Sequence, residues 1–415
     1  MPINYAVLNG IAQHLGWDER MPEITKENFY NFGQTLNQDD TNAFLGMLSK
    51  ISEQFVYSTK YNADDNPFQP FFKSDVPVGE FIERTFVGVI DGSTPTYNDN
   101  GAVSLSRKTP PVSSSYNSFN FEKEYGITVS DAQARSAFLN ITNMNQVLSQ
   151  ITSVLPNSAN LDLYLACKEL CSKAYLNNSY YSTGLAAPTS KENSDNLIQT
   201  IKDLVFNFSR PSQKYNKDGV INKSFNDDIF VLVRPSVFNA MGVKSLSAAF
   251  NISEVEIRDK ILVIDEEQPF GSIMDGTLAL CVDRNFFNIH KQIMNSNSIL
   301  VPVGGGYYNV FMYLKYAFTY YNAYNAARIY DNTSEYTITV NGVTTDKTSA
   351  TEGTVINITA PTSGNVYIVY TDTVTGEDSA YITLDVTSTK SFVMPGNNIT
   401  VTTTEPDIKS TTDII

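Results

Sequence analysis

The clearest periodic signal in the first 75 residues is an apolar stripe at Phe44, Leu48, Ile51 and Phe55. Its i, i+4, i+7, i+11 spacing predicts a helix opened by Asp39 and Asp40, in a segment that reads as helical and polar-rich. Pro67 and Pro70 then break the chain. FIERTFVGVI, from Phe81 to Ile90, reads as a strand. YNSFNFEKEYGITV, from Tyr116 to Val129, reads as a second extended run that alternates aromatic and polar residues at its centre. The segment between them is full of turn formers, which predicts a long hairpin tip or a mobile loop.

Further on, the period becomes helical. Ser130 with Gln133 fits a capping box for a helix reaching about Thr152. Pro156 is expected to separate it from a second helix, NSANLDLYLACKELCSKAYL, with Leu161, Tyr164, Cys167, Cys171 and Ala174 on one face. Ser194 is expected to cap a third, whose apolar face is Leu197, Ile198, Ile201, Leu204, Val205 and Phe208. Strand-like runs then alternate with helices: DIFVLVR (228–234), a helix at 236–241, KILVID (260–265) and TLALCVD (277–283). Tyr307 to Tyr321 is a long strand with two largely apolar faces, so cover is expected on both sides. The layout is mixed α+β.

Composition shifts near Asp331. Residues 333–415 hold 22 Thr and carry −7 of the chain's −15. Short alternating runs (YTITV before an Asn341-Gly342 turn, TVINITA, VYIVYTD, AYITLDV, NITVTTT) predict a small β-sandwich. The last residues should be frayed. With 42% hydrophobic and 18% charged residues, the bulk of the chain is globular rather than disordered. An excess of 44 acids over 29 bases speaks against a general nucleic-acid binder, though a local basic loop remains compatible with it. Three cysteines suit a reducing compartment, the opening residues show no secretory signal pattern, and no stretch reaches the ~18 apolar residues of a spanning helix.

Candidate chemistry is sparse. His14 and His290 are isolated, and Cys167 with Cys171 lacks a second ligand pair, so small buried thiols are favoured over a metal site. Gly304-Gly305-Gly306 is followed by tyrosines and a strand, which suits a hairpin turn rather than a phosphate loop. The acids Asp265, Glu266 and Glu267 read as a solvated strand end before a cation site. No nucleophile, cofactor or metal motif stands out, so no catalytic role is expected. Arg107 and Lys108 are the adjacent basic pair of the 81–128 hairpin. Two readings stay open for them: solvated loop residues, or assembly contacts with an acidic neighbouring subunit.

The order of elements resembles the major capsid proteins of tailed bacteriophages with the Hong Kong 97-type fold, in particular those of small, short-tailed phages. FFKSDVPVGEFIERTFVGVI resembles the approach to their extended E-loop, NSANLDLYLACKELCSKAYL their spine helix, DIFVLVRPSVFNAM and TLALCVDRNFFNIHKQI their strand-then-helix units, and NVFMYLKYAFTYYNAYNAARI their P-domain strand. In the tail, YTITVNGVTT and SFVMPGNNITVTT are similar to bacterial Ig-like repeats, with Phe392, Met394 and Pro395 keeping the pattern.

The resemblance implies a helical N-terminal arm (1–80), an E-loop hairpin (81–128), a P-domain and A-domain (129–332), an Ig-like β-sandwich (333–403) and a frayed tail (404–415). It implies no enzyme and no cofactor. The implied role is a virion shell of identical subunits in hexamers and pentamers, made in the host cytoplasm without a membrane. Scaffold and portal proteins would be further partners, packaged DNA would lie inside without sequence-specific binding, and the tail module would face outward toward host glycans. Some capsid proteins of this fold cross-link an E-loop lysine to a neighbour; Lys108 matches by position alone, and no bond is expected. A chain ending after Asp331 is expected still to assemble. The competing readings are an encapsulin-type compartment shell, a secreted adhesin or surface-layer protein, and, with no residue set behind it, an acidic hydrolase.

Overall fold

The computed structural model describes residues 23–29, 66–77, 82–89, 112–130, 141–241, 260–271, 273–300, 307–359, 365–371, 378–385 and 391–406, together with Tyr5, Asn9, Gln13, Asn31 and Pro110. The predicted Asp39–Phe55 helix, the Ser130–Gln133 box, the glycine run at 304–306, His14, Arg107 and Lys108 therefore lie wholly or partly outside the described residues.

Strand β1 (Ile82–Val87) pairs antiparallel with β2 (Val112–Asn117) as an isolated two-stranded arm. The extended run predicted from Tyr116 divides here. Residues 118–120 leave the ladder, and β3 (Phe121–Ser130) joins a different sheet. Asn120 makes that turn by donating from its amide to the Phe318 carbonyl (3.0 Å) and accepting from the Phe318 N–H (2.8 Å).

One helix, α1 (Ile141–Leu176), replaces the two expected on either side of Pro156. A mid-helix proline loses one backbone bond and crowds the preceding turn, at about 3 kcal/mol. Burial of Leu155, Ala159, Leu163, Ala166, Cys167, Leu170, Cys171 and Ala174 offsets that local cost. After β4 (Tyr181–Leu185), helix α2 (Lys191–Phe208) is capped by Ser190, whose side chain accepts from the Asn193 N–H (3.2 Å). Ser194, the expected cap, instead lies one turn inside and donates to the Ser190 carbonyl (2.9 Å). The six predicted apolar residues of α2 are all buried.

The main sheet has the order β4-β10-β7-β5-β6, with β5 (Ile229–Val233), β6 (Ile261–Val263), β7 (Thr277–Asp283) and β10 (Ala326–Asp331). Its β5 residues alternate between two cores. Ile229, Val231 and Val233 pack with α2 and the short helix α3 (Pro235–Met241), whereas Phe230 and Leu232 join α1 and an aromatic cluster. Cover on both faces explains why these strands read as unbroken apolar runs. In the cluster, Phe71 meets Phe287 edge-on at 5.4 Å between ring centres and Phe230 at 5.8 Å.

A second sheet has the order β3-β9-β8, built by β8 (Phe287–Leu300) and β9 (Tyr307–Tyr320). Here TLALCVDRNFFNIHKQI departs from the strand-then-helix reading: its second half is a strand, and His290 lies within it. β8 is polar in sequence, but antiparallel pairing with β9 satisfies one edge of its backbone. On β9, Met312, Leu314, Tyr316 and Phe318 are buried on one face, while Phe311, Tyr313 and Lys315 on the other are half-covered.

Among the described residues beyond Asp331, eight strands form two sheets. β11 (Glu335–Asn341), β13 (Ser349–Thr351), β15 (Asn365–Thr371), β16 (Asp378–Asp385) and β18 (Ile399–Thr402) form one, ordered β13-β11-β18-β15-β16. β12 (Thr344–Thr345), β14 (Val355–Thr359) and β17 (Ser391–Val393) form the other. Gly342 turns the chain at φ +75°, as the Asn-Gly pair predicts. The module's buried Ile338, Ile356, Ile368, Phe392, Met394 and Val401 are continuous with the apolar core of the body.

Candidate assembly surfaces and the seam to the terminal module

The arm shows two unlike faces. Ile82, Arg84, Phe86, Ser113, Ser115 and Asn117 turn toward the body, and Glu83, Thr85, Val87, Val112, Ser114 and Tyr116 are all exposed. On the inner side, the Arg84 guanidinium stacks on Tyr321 at 5.0 Å and Phe86 meets Tyr324 edge-on at 5.7 Å. Asn117 donates to the Tyr321 hydroxyl (3.1 Å), and Ser113 donates to Asp218 (2.6 Å). Arg84, Phe86, Ser113, Tyr321 and Tyr324 line a cavity of about 190 Å³ between arm and body. On the outer side, Tyr116 donates to Glu83 (2.9 Å), which raises the Tyr116 pKa.

The arm's root is held by the segment before it. Phe72 bridges to Ile289, and the N–H groups of Lys73 and Val76 donate to the carbonyls of Ile289 and Lys291 (2.9 and 2.8 Å). Lys73 Nζ reaches the Arg284 carbonyl (3.1 Å). Burial, and then the charges of Arg84 and Arg284, push its pKa down to about 8. His290 faces the Ser74 carbonyl (3.1 Å), and burial lowers its pKa. It is a structural histidine, as its isolation in sequence suggested.

The other residues weighed in the sequence also have structural places. Cys167, Cys171 and Cys281 are buried, and burial pushes their thiols up. Asp265 binds Lys168 Nζ through both oxygens (3.0 Å), and Nζ also donates to the Glu267 carbonyl (2.8 Å). Glu266 accepts from the Ser236 N–H (3.0 Å) and hydroxyl (2.7 Å). The carboxylates of Asp265 and Glu266 and the main-chain carbonyl of Glu267 thus pin the chain after β6 to α1 and α3. Among the described residues, no group of three or more acidic, His or Cys side chains is placed to hold a metal ion.

The seam between body and terminal module was not anticipated. Arg328, on β10, is fully buried and forms a two-pronged ion pair with Glu352 of the module, with Nη2 at 2.9 Å from Oε2. Its Nε donates to Thr277 Oγ1 (2.6 Å), and its guanidinium lies over the rings of Tyr175 (4.6 Å) and Tyr330 (5.1 Å). Tyr175 of α1 donates its hydroxyl to Glu352 (3.1 Å). Burial opposes the charge on Arg328, but Tyr175 and Glu352 more than offset it and raise the pKa. The Gly276 N–H donates to the Gly396 carbonyl across the same seam (3.3 Å), and a Cβ at either glycine would meet Glu352. The signal in sequence was faint: one Arg and one Glu 24 residues apart, on either side of the composition boundary.

The described body thus carries a two-stranded arm and a long three-stranded sheet beside α1. The fold is similar to the capsid structure of Staphylococcus phage Andhra, with a TM-score of 0.54 at 13% identity, covering 64% of this chain and 84% of that one. The model of the Phi29-like phage major capsid protein family matches residues 8–330, and the chain belongs to that family. It is similar to the major capsid protein of Bacillus phage PZA, 22% identical over 75% of this chain and 70% of the relative. That of Bacillus phage B103 is 24% identical over the same shares. The chain is thus a major capsid protein and a component of the virion, from a family of structural shell proteins.

Proposed function

We propose that identical copies assemble through hexamers and pentamers into an icosahedral shell of the Hong Kong 97 type enclosing double-stranded DNA. The arm within 81–128 acts as the E-loop and lies on a neighbouring subunit, and residues 129–332 supply the P-domain and A-domain. The observation that carries this reading is the arm's wholly exposed outer face. A lone two-stranded ladder is marginal in water, and Val87, Val112 and Tyr116 gain burial only against another surface. Such head-to-tail contacts close into a shell when the rotation between copies closes. Arg107 and Lys108, which fall between β1 and β2 in sequence, would meet acidic groups on that neighbour.

Residues 333–403 fit an Ig-like sandwich in strand count and length. In this reading the module faces outward, where its Thr-rich surface suits host glycans. Synthesis in the host cytoplasm, and scaffold and portal partners, belong to the same proposal. Electron microscopy of the purified chain, alone and with the products of neighbouring phage genes, tests it. Icosahedral particles are expected; a stable monomer under both conditions would overturn it.

A further inference from the structure

The segment that leaves α2, residues 209–225, runs against the charge of the whole molecule. It carries Arg210, Lys214, Lys217 and Lys223 against one acid, Asp218, in a chain of net charge −15. All four cations are exposed. Two large aromatic residues stand in solvent beside them, Phe206 at 59% and Phe225 at 64% exposure. Each ring is covered by a cation, Arg210 over Phe206 and Lys223 over Phe225, both at 5.0 Å from the ring centre.

The segment is built rather than loose. The Ser224 N–H donates to the Phe208 carbonyl (2.7 Å), and Ser212 and Asn222 exchange two backbone bonds (3.0 and 3.1 Å). These bonds close a loop whose two limbs carry the two cation-capped rings. The Asp218 N–H donates to the Asn322 carbonyl (3.3 Å), and the Ala326 N–H to the Tyr215 carbonyl (2.9 Å), which tie the loop to the turn between β9 and β10. Gly219, at φ +62°, forms its tip.

We infer that this basic, aromatic loop is a contact surface for a second copy of the chain, whose net charge of −15 supplies acidic groups for it to meet. Exposed aromatic rings and Arg are the residue types enriched in the buried centres of protein interfaces. A ring with a cation already over it presents charge and apolar area together. Opposite-charge patches steer identical subunits into one register and penalise others. A second copy is favoured over DNA because the rest of this strongly acidic molecule repels a polyanion, whereas it supplies the loop's complement on every neighbouring subunit. The inference rests on the shell-forming role proposed above and adds a second contact, distinct from the outer face of the arm.

The test places the photo-crosslinker p-benzoylphenylalanine at Phe225, or at Phe206 in a second variant, in the full-length chain. Particles are formed from mixed light and heavy isotope-labelled copies, irradiated and digested. Light-to-heavy crosslinks from the loop to acid-rich peptides are expected. Crosslinks to nucleic acid, or particles without inter-copy crosslinks, would overturn the inference while leaving the shell role intact. If the wild-type chain forms no particles either alone or with the products of neighbouring phage genes, the shell role itself fails. As a check independent of the probe, Arg210→Glu with Lys223→Glu should lower particle yield about tenfold with an unchanged melting temperature. An unchanged yield would also overturn the inference.

Discussion

Arg328 and Glu352 face each other across the seam between the body and the terminal module, paired through both ends of the guanidinium and shut away from solvent. Such a pair adds little over a well-packed apolar replacement, but removing one member strands the other charge. Glu352→Ala is therefore expected to cost about 3–5 kcal/mol in chemical denaturation. The double replacement Arg328→Met with Glu352→Met should be milder than either single change. If the double variant were as damaged as the sum of the singles, the pair would not be the cause.

The same contact changes the expectation for a shortened chain. A chain ending after Asp331 loses Glu352 and the Gly396 carbonyl, removes the counter-ion of Arg328, and uncovers core residues that now meet the module. It is expected to be insoluble or to melt well below the full chain, contrary to the removable decoration that composition suggested. A soluble, cooperatively melting fragment 1–331 would refute this.

Gly271 is expected to tolerate no side chain. It sits at φ +90°, and a Cβ there would overlap Ser172 Oγ and lie 2.9 Å from the Lys168 carbonyl oxygen of α1. Gly271→Ala should cost more than the ~1–3 kcal/mol of backbone strain alone. Gly219→Ala, at φ +62° with open space around it, should cost only about 1–2 kcal/mol. Urea midpoints of the two variants give the comparison.

Lys73 gives the fold a pH dependence of a defined sign. Its pKa falls from 10.5 to about 8 on folding, because burial and two arginines disfavour its charge. Between those values the unfolded chain binds more protons, so the Lys73 contribution to stability rises as pH increases from about 8 toward 10.5. Lys73→Met should flatten the melting-temperature profile in that window. Parallel profiles for variant and wild type would show that Lys73 is not responsible.

Deleting residues 92–114 removes sequence between β1 and β2 and the first half of β2 while leaving the two main sheets complete. The expected result is a folded subunit that forms shells poorly or not at all. Circular dichroism and negative-stain microscopy read the two properties separately, and normal shells would refute the arm's role.

Much of the body was legible because burial imposes periods that a sequence displays. The α2 face and the all-apolar β5 are cases where one residue type has one environment. β8 was not legible, because FNIHKQIMNSNSIL neither alternates cleanly nor forms an apolar run, and its strand character comes from its partner β9. Pro156 misled because a local rule was outweighed by tertiary burial of the helix around it. The Arg328–Glu352 pair left little spacing signal, since Arg328 lies on β10 and Glu352 in the turn after β13, and the two meet only when body and module dock.

The parallel pairing of β11 with β18 has a consequence for the order of synthesis. The module's first strand, Glu335–Asn341, finds its central neighbour only when Ile399–Thr402 has been made. Gly396, which closes the seam against Gly276, arrives just before it. The body's final covering is thus supplied by residues that are made after the whole of the body. A chain that stalls or breaks before Gly396 therefore lacks that covering.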